Sequence, residues 1–423
     1  MLLKLNNMNR ILYLLVILFA LPIAAQQTIN LEECYDLATT NYPLAKQASL
    51  LKQQNQLDLE VISNGKLPQL DLSAQATYQS DVTSVPIPNT GIEPLNKDQY
   101  RATLSVNQLI YNGGLINAST EAKSAQLKTQ QKQVEVSLYQ LKKQVNQLYF
   151  SVLLLQEKKQ LLTEKQTQLQ TQLKEVKSGI SNGVMLPSSD KVLEAELLKI
   201  AQQFSEIKNN KVALIDNLSS LIAKPLTVET TFETPITKTV LNNALNRPEL
   251  ELFQLKKEEI RLNETLISKQ NFPKLMGFAT GGYGNPGLNM LDNSFQTFYT
   301  VGMKLNWNIF DWNSNKKQRE SLAITGDLIE TEVETFKLNT TIESTNQEKD
   351  IANISELLKI DTDIIALRKT VLDAAQSQLR NGVITTSAYI IELTNLNEAK
   401  NSLATHRIEL ELAKANYNIT TGY

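Results

Sequence analysis

Residues 67–78 read LPQLDLSAQATY, and this stretch decides the fold. Leu67-Pro68 stops whatever precedes it. Leu70, Leu72, Ala74, Ala76 and Tyr78 then alternate strictly with Asp71, Ser73, Gln75 and Thr77. A period of two, apolar on one face and polar on the other, is the pattern of a strand. Tyr100, Ala102, Leu104 and Val106 alternate with Arg101, Thr103, Ser105 and Asn107, and Tyr299 to Trp307 does the same. The segment from Leu275 to Tyr283 is less regular, with Met276 and Phe278 set among small residues. Four segments of about ten residues with this dyad pattern fit a membrane-spanning β-barrel better than a soluble sheet. Tyr78, Tyr100, Tyr283 and Trp307 would suit its interfacial aromatic girdles, although cross-strand packing would use them as well.

The chain repeats itself. Asn41-Tyr42-Pro43 returns as Asn246-Arg247-Pro248 and Leu67-Pro68 as Phe272-Pro273, both 205 residues on. Val106-Asn107 returns as Leu305-Asn306, Ile110-Tyr111 as Ile309-Phe310, and Asn182-Gly183-Val184 as Asn381-Gly382-Val383, now 199 residues on. The offset changes in the Pro/Gly/Asn-rich stretch after each first strand, which marks an exposed loop where length is free to vary.

Between the strands lie long helices. No Gly or Pro occurs between Leu115 and Ser178 or between Asp327 and Asn381. Leu127, Val134, Leu141, Leu148, Leu155, Leu162, Leu169 and Val176 keep one heptad position, a coiled-coil signature. The second long helix carries two adjacent seams. One comprises Leu357, Ile360, Ile364, Leu367, Val371 and Ala374; the other Ile354, Leu358, Ile365, Leu372, Ala375 and Leu379. Two seams pack a partner on each side, as in a tube of helices, while a four-helix bundle explains a wide apolar face equally well. The strands favour the tube. Four strands cannot close a barrel in lipid, where an open edge leaves backbone groups unpaired, so copies of the chain must share one. Two copies give eight strands and three give twelve; only the larger leaves room for a pore.

Composition excludes other classes. With 42 basic and 44 acidic residues there is no field for nucleic acid. One histidine (His406) and one cysteine (Cys34) cannot build an ordinary metal centre. Gly281-Gly282-Tyr283-Gly284 lacks the Lys-Ser/Thr and helix start of a phosphate loop. No catalytic, cofactor-binding or metal-binding residues are expected, and no enzyme. Lys4 and Arg10, the apolar Ile11–Ala20 and the small Ile23-Ala24-Ala25 read as a signal peptide over 1–25, since the apolar run is too short to span a bilayer. Glu32 and Glu33 make Cys34 a poor lipidation site, so a buried thiol is expected.

Taken in order, these motifs resemble the TolC-like outer-membrane efflux proteins. The matching segments are Ile29-Asn30-Leu31-Glu32-Glu33-Cys34 with Asn41-Tyr42-Pro43, then Leu67-Pro68-Gln69-Leu70. Leu109-Ile110-Tyr111-Asn112-Gly113-Gly114 and the two Asn-Gly-Val tips follow. The fold class expected is mainly α with β: a duplicated chain whose four strands make one third of a shared twelve-strand barrel, with coiled-coil helices forming a periplasmic α-barrel. The expected divisions are 26–223 (first repeat), 224–238 (a linker with a short strand) and 239–423 (second repeat). Two helical staves would run about 115–180 and 313–380; segments 31–64 with 385–420, and 188–222 with 239–270, would make two more.

The resemblance implies a homotrimer in outer-membrane lipid, a passive conduit of a tripartite efflux or type I secretion system. Its partners would be a periplasmic adaptor (membrane fusion) protein and an inner-membrane pump. Asn182, Gly183, Val184, Asn381, Gly382 and Val383 would form hairpin tips open to the adaptor. The family narrows its tube with acidic residues after the second hairpin; the corresponding positions here hold Ala388 and Ile391, so Thr385, Tyr389 and Glu392 are the gate candidates. A periplasmic adaptor or a secreted coiled-coil scaffold would also carry a signal peptide and long helices, but neither accounts for two hairpins and four alternating segments.

Overall fold

The structure, a computed structural model, describes residues 28–84, 93–239 and 244–423. The signal segment and the part of the first outer loop holding Pro86, Pro88 and Gly91 lie outside the described residues. In chain order the elements are β1 (Thr28–Ile29), α1 (Leu31–Asn41), α2 (Lys46–Asn64), β2 (Gln69–Tyr78), β3 (Asp98–Tyr111), α3 (Leu115–Ser181) and α4 (Ser189–Ile222). Then come β4 (Thr231–Phe232), α5 (Pro248–Gln270), β5 (Lys274–Asn285), β6 (Gln296–Asn306), α6 (Ser314–Arg380) and α7 (Thr386–Thr421). The fold is mainly helical with one four-stranded sheet. Helices α3 and α6 have 67 residues each, about 100 Å at 1.5 Å per residue.

Sequence chemistry explains the ends of the elements. Asn30 caps α1 by accepting from the Glu33 N–H at 2.8 Å, and Pro43 ends that helix by opening a 3₁₀ turn. The run expected as one piece over 31–64 is therefore two helices. Pro248 stands at the first position of α5, where its missing N–H costs nothing, so this helix begins later than the expected 239.

Two compact units divide the chain. One comprises 28–42, 138–246 and 340–423 of the described residues. A core of Ile29, Cys34, Val145, Tyr149, Phe150, Ile215, Ile222, Phe232, Ile408 and Ile419 lies around the two-stranded parallel sheet β1–β4. Tyr149 Oη reaches the carbonyls of Ile29 (3.0 Å) and Glu233 (2.7 Å), holding both strands. The sequence suggests β4 but not β1, whose two residues carry no pattern of their own. A second core joins Leu169 and Val176 of α3, Leu193 and Ile200 of α4, Leu372 and Leu379 of α6, and Tyr389 and Leu393 of α7. One α6 seam fills this core, with Leu372, Ala375 and Leu379 buried. The neighbouring seam, Ile360, Ile364, Leu367 and Val371, stays exposed among the described residues, Leu367 at 70%.

The other unit comprises 43–137 and 247–339, and holds the antiparallel sheet in the order β2-β3-β5-β6. Ion pairs Lys123–Asp58 (2.9 Å) and Lys132–Glu251 (2.5 Å) tie α3 to α2 and α5, and the Phe253 and Phe336 rings meet edge-on at 5.8 Å. Leu50, Leu57 and Val61 of α2 and Ile324, Leu328 and Leu338 of α6 remain exposed. Among the described residues no helix is long and apolar enough to cross a membrane.

Candidate functional site

The sheet is amphipathic across all four strands. Leu70 faces Val106, Leu72 faces Leu104 and Ala74 faces Ala102. The same face continues through Tyr283, Gly281 and Ala279 of β5 to Tyr299, Val301 and Met303 of β6. Its large side chains are exposed on every strand that carries them. The opposite face carries Asp71, Ser73, Arg101, Ser105, Thr280 and Lys304, with Ser105 and Thr280 hydroxyls 3.0 Å apart. Two aromatics interrupt that polar face, each directly across from a glycine. Phe298 lies over Gly282 and Phe278 over Gly302, so closely that a Cβ on either glycine would collide with the ring. Glycine here admits a flat ring onto the backbone and keeps it from standing out of the sheet. Arg101 sits 5.6 Å from the centroid of Phe298.

Both outer edges of the sheet, β2 and β6, are without a neighbour among the described residues. An exposed edge of ten or eleven residues on an apolar sheet is a template for another chain.

Of the four girdle candidates, Tyr78, Tyr100 and Tyr283 stand at the end of the sheet that carries the outer loops, and Trp307 at the opposite end. All four are exposed. Phe295 stacks on both Tyr100 (6.4 Å) and Tyr283 (5.4 Å), an addition that its loop position hid in the sequence. At the Trp307 end, exposed Phe310 and Trp312 meet edge-on at 4.8 Å.

The strand-to-helix turns differ between the halves. Gly113 and Gly114 take φ +67° and +82° after β3, and Trp312 and Asn313, each 199 places later, take φ +55° and +61° after β6. A left-handed backbone is free for glycine, tolerated by asparagine and unusual for a bulky residue. At Gly113 no other residue fits, because a Cβ would overlap Phe272.

The two hairpin tips have one geometry. Val184 N–H bonds the Gly179 carbonyl (2.9 Å) and Val383 N–H bonds the Gln378 carbonyl (2.8 Å), the six-to-one bond of a Schellman turn. Gly183 (φ +73°) and Gly382 (φ +69°) hold the left-handed position. Asn182 and Asn381 donate to Ser178 and Ser377 at 3.1 Å. Val184, Leu186 and Val383 are exposed apolar side chains at these turns.

The gate candidates fall in different settings. Thr385 caps α7, accepting from the Ala388 N–H at 3.2 Å. Tyr389 is fully buried in the second core, its hydroxyl reached by Gln168 Nε2 at 3.4 Å, and burial raises its pKa. Glu392 lies 3.6 Å from Arg368 and accepts from Asn395 at 3.2 Å. Thus Tyr389 is packing, Thr385 is a cap, and Glu392 offers a half-exposed charge. Ile391 beside it is exposed. The sequence reading missed the pair Glu175–Arg380 (3.0 Å), which joins the ends of α3 and α6 just before their turns. These two residues are 205 apart in the chain, and only a fold brings them together. After the first hairpin, Glu194 is held below the usual carboxylate range by hydrogen bonds from Lys191 and Lys177. His406 shares a 2.6 Å hydrogen bond with Asp361.

The model of the outer membrane efflux protein family matches residues 34–215. Three solved structures share the fold over nearly the whole chain. They are CusC (13% identity, TM-score 0.69, covering 92% of this chain and 91% of that one) and VceC of Vibrio cholerae (14%, 0.65, 92% and 95%). The third is the open state of MtrE of Neisseria gonorrhoeae (15%, 0.66, 93% and 88%). The chain resembles the TolC-like outer-membrane efflux proteins and shares their fold. No curated protein sequence matches it. Members of the matching family are transport conduits and not enzymes.

Proposed function

We propose that three copies of this efflux protein form a passive duct through the outer membrane and across the periplasm. It would be the outer end of a tripartite efflux or type I secretion system. The observation that carries this reading is the four-stranded sheet with one exposed apolar face and two unpaired edges. In water such a sheet would aggregate; in lipid an open edge would strand its backbone groups. Twelve strands from three protomers close the edges and leave a pore, with the apolar face against lipid and the Arg101–Lys304 face inward. Tyr78, Tyr100 and Tyr283 would form the outer girdle and Trp307 the inner one.

The uncovered α6 seam supports the same assembly, since a second helix from the next protomer would complete it, as would the exposed stripe on α2. The Asn182–Val184 and Asn381–Val383 tips, with apolar side chains exposed, would meet a periplasmic adaptor, and an inner-membrane pump would supply the energy. Glu392 and Thr385 stand nearest the second tip as candidates for lining the constriction; Glu175–Arg380 would restrain it.

The test is the mass of the detergent-extracted particle, with detergent subtracted. A trimer that needs detergent is expected. A water-soluble monomer would overturn the duct and favour a scaffold or adaptor.

A further inference from the structure

Resting on that trimeric reading, the internal repeat points to the residue-by-residue register between protomers. We propose that β6 of one protomer pairs with β2 of the next as β3 pairs with β5 inside the chain. Lys304 would then stand opposite Gln75 of the next protomer, and Leu305 opposite its Ala74.

The two hairpins share one pattern of pairing. In the first, Gln69 faces Asn107; in the second, Lys274 faces Asn306. The partners on the first strands are 205 apart and those on the second strands 199 apart, the same offsets that the sequence motifs show. Each hairpin is therefore the same unit in the same register. Within the chain the second strand of the first hairpin joins the first strand of the second, with Ala102 facing Tyr283, Leu104 facing Gly281 and Ser105 facing Thr280. The free edges are the corresponding pair, β6 as a second strand and β2 as a first strand. A ring that repeats one junction must join β6 to the β2 of the next copy. Carrying the two offsets across places Val301 opposite Tyr78, Met303 opposite Ala76, Leu305 opposite Ala74 and Lys304 opposite Gln75.

Two independent features agree with this register. First, every transferred pair keeps its face: Val301, Met303 and Leu305 meet Tyr78, Ala76 and Ala74, all apolar, while Lys304 meets Gln75. A slip of one residue would mix the faces. Second, the feet of the strands match. At the internal junction Gly113, after β3, lies against Phe272, before β5. The corresponding residues at the free edges are Trp312, after β6, and Leu67, before β2. Trp312 is 79% exposed and Leu67 57% exposed in the single chain, as two halves of an unmade contact would be. Bulk changes sides between the two junctions: glycine beside phenylalanine within the chain, tryptophan beside leucine between chains. Trp312 keeps the positive φ of Gly113, so the strand leaves the sheet in the same direction at both junctions. A slip of two residues would preserve the faces but separate Trp312 from Leu67.

Cysteine pairs test this. Directly opposite residues have Cα atoms about 4.5–5.5 Å apart, within disulfide range, whereas residues two places off are about 7–8 Å apart, beyond it. The double variant Lys304→Cys/Gln75→Cys should give covalent ladders up to a trimer on oxidation of the assembled protein with copper phenanthroline. Bond formation should be roughly tenfold faster than in Lys304→Cys/Ser73→Cys or Lys304→Cys/Thr77→Cys. Parent protein is the blank, because its one thiol, Cys34, is buried. Faster crosslinking of the Ser73 or Thr77 pair overturns the register and leaves the trimer standing. No crosslink in any pair from a particle of trimeric mass overturns the β6–β2 junction. Monomeric mass for the parent and all three variants overturns the trimeric reading itself.

Discussion

The tightest contact at the base of the sheet gives a prediction with two separable parts. Replacing Gly113 by alanine puts a Cβ onto Phe272, overlapping its Cβ and coming within 2.9 Å of Cγ and Cδ2. Overpacking of this kind costs about 1–3 kcal/mol. The residue also sits at φ +67°, where an L side chain costs a further ~1–2 kcal/mol. The expected loss is therefore about 2–5 kcal/mol. Gly183→Ala provides the control, because φ is +73° there but nothing lies within 4 Å of the new Cβ. It should lose only the ~1–2 kcal/mol of backbone strain. The assay is denaturant unfolding of the detergent-solubilised protein, comparing midpoints at constant slope. Adding Phe272→Gly, which removes the clashing Cβ as well as the ring, to Gly113→Ala should recover the steric part and leave the strain, seen as a coupling between the two sites. Equal midpoints for Gly113→Ala and Gly183→Ala would refute the claim that Phe272 forces glycine at this turn.

Four further outcomes follow from other parts of the molecule. Gly382→Pro cannot adopt φ +69° or donate to Leu379, so export of a reporter compound should fall while the trimer persists; loss of the trimer would count against the tip placement. Tyr149→Phe removes the hydroxyl that reaches the buried Ile29 carbonyl and the Glu233 carbonyl and should destabilise the protein by about 1–3 kcal/mol in the same unfolding assay, a change under ~0.5 kcal/mol contradicting it. Arg380→Ala should leave stability nearly unchanged, because the Glu175 pair is exposed, yet raise single-channel conductance if that pair restrains the tip; unchanged conductance removes it from the gate. Burial pushes the Cys34 thiol up to about 12 from 9.0, so the folded protein should resist maleimide at pH 8. Because the folded value is the higher one, this thiol's contribution to stability is intact below pH 9 and is lost as pH rises towards 12; a Cys34→Ala variant lacking that alkaline loss checks the sign.

The sequence made the long-range order legible because period and punctuation act locally. Strict alternation placed β2 and β3 within a few residues, and the absence of Gly and Pro set the extent of α3 closely; α6 runs through Gly326 and begins at Ser314, ahead of its Gly-free run. The weaker signal at β5 has a cause: Phe278 occupies the polar face because Gly302 across from it leaves room for a flat ring, a compensation made on another strand. Strand β1 was invisible since two residues cannot show a period. Its partner Phe232 and the clamp by Tyr149 come from distant segments. Tyr389 illustrates the limit for sites. Its position after the second hairpin suggested a gate, but which side of α7 faces its neighbours depends on the packing of Leu169, Leu193 and Leu372 around it. Heptad periodicity says that a seam exists and not which of two seams the chain itself will fill, a choice that α6 makes in favour of Leu372 and Leu379.

The β1–β4 clamp also sets a schedule for folding. Thr28–Ile29 finds its hydrogen-bonding partner only once Thr231–Phe232 has been made, and the core beneath it takes Ile408 and Ile419 from the last helix. A core that joins segments almost four hundred residues apart consolidates late, because loop-closure entropy must be met before its contacts form. Until that core closes, the amphipathic hairpins carry their apolar faces open, the state in which a folding chain is most prone to aggregate.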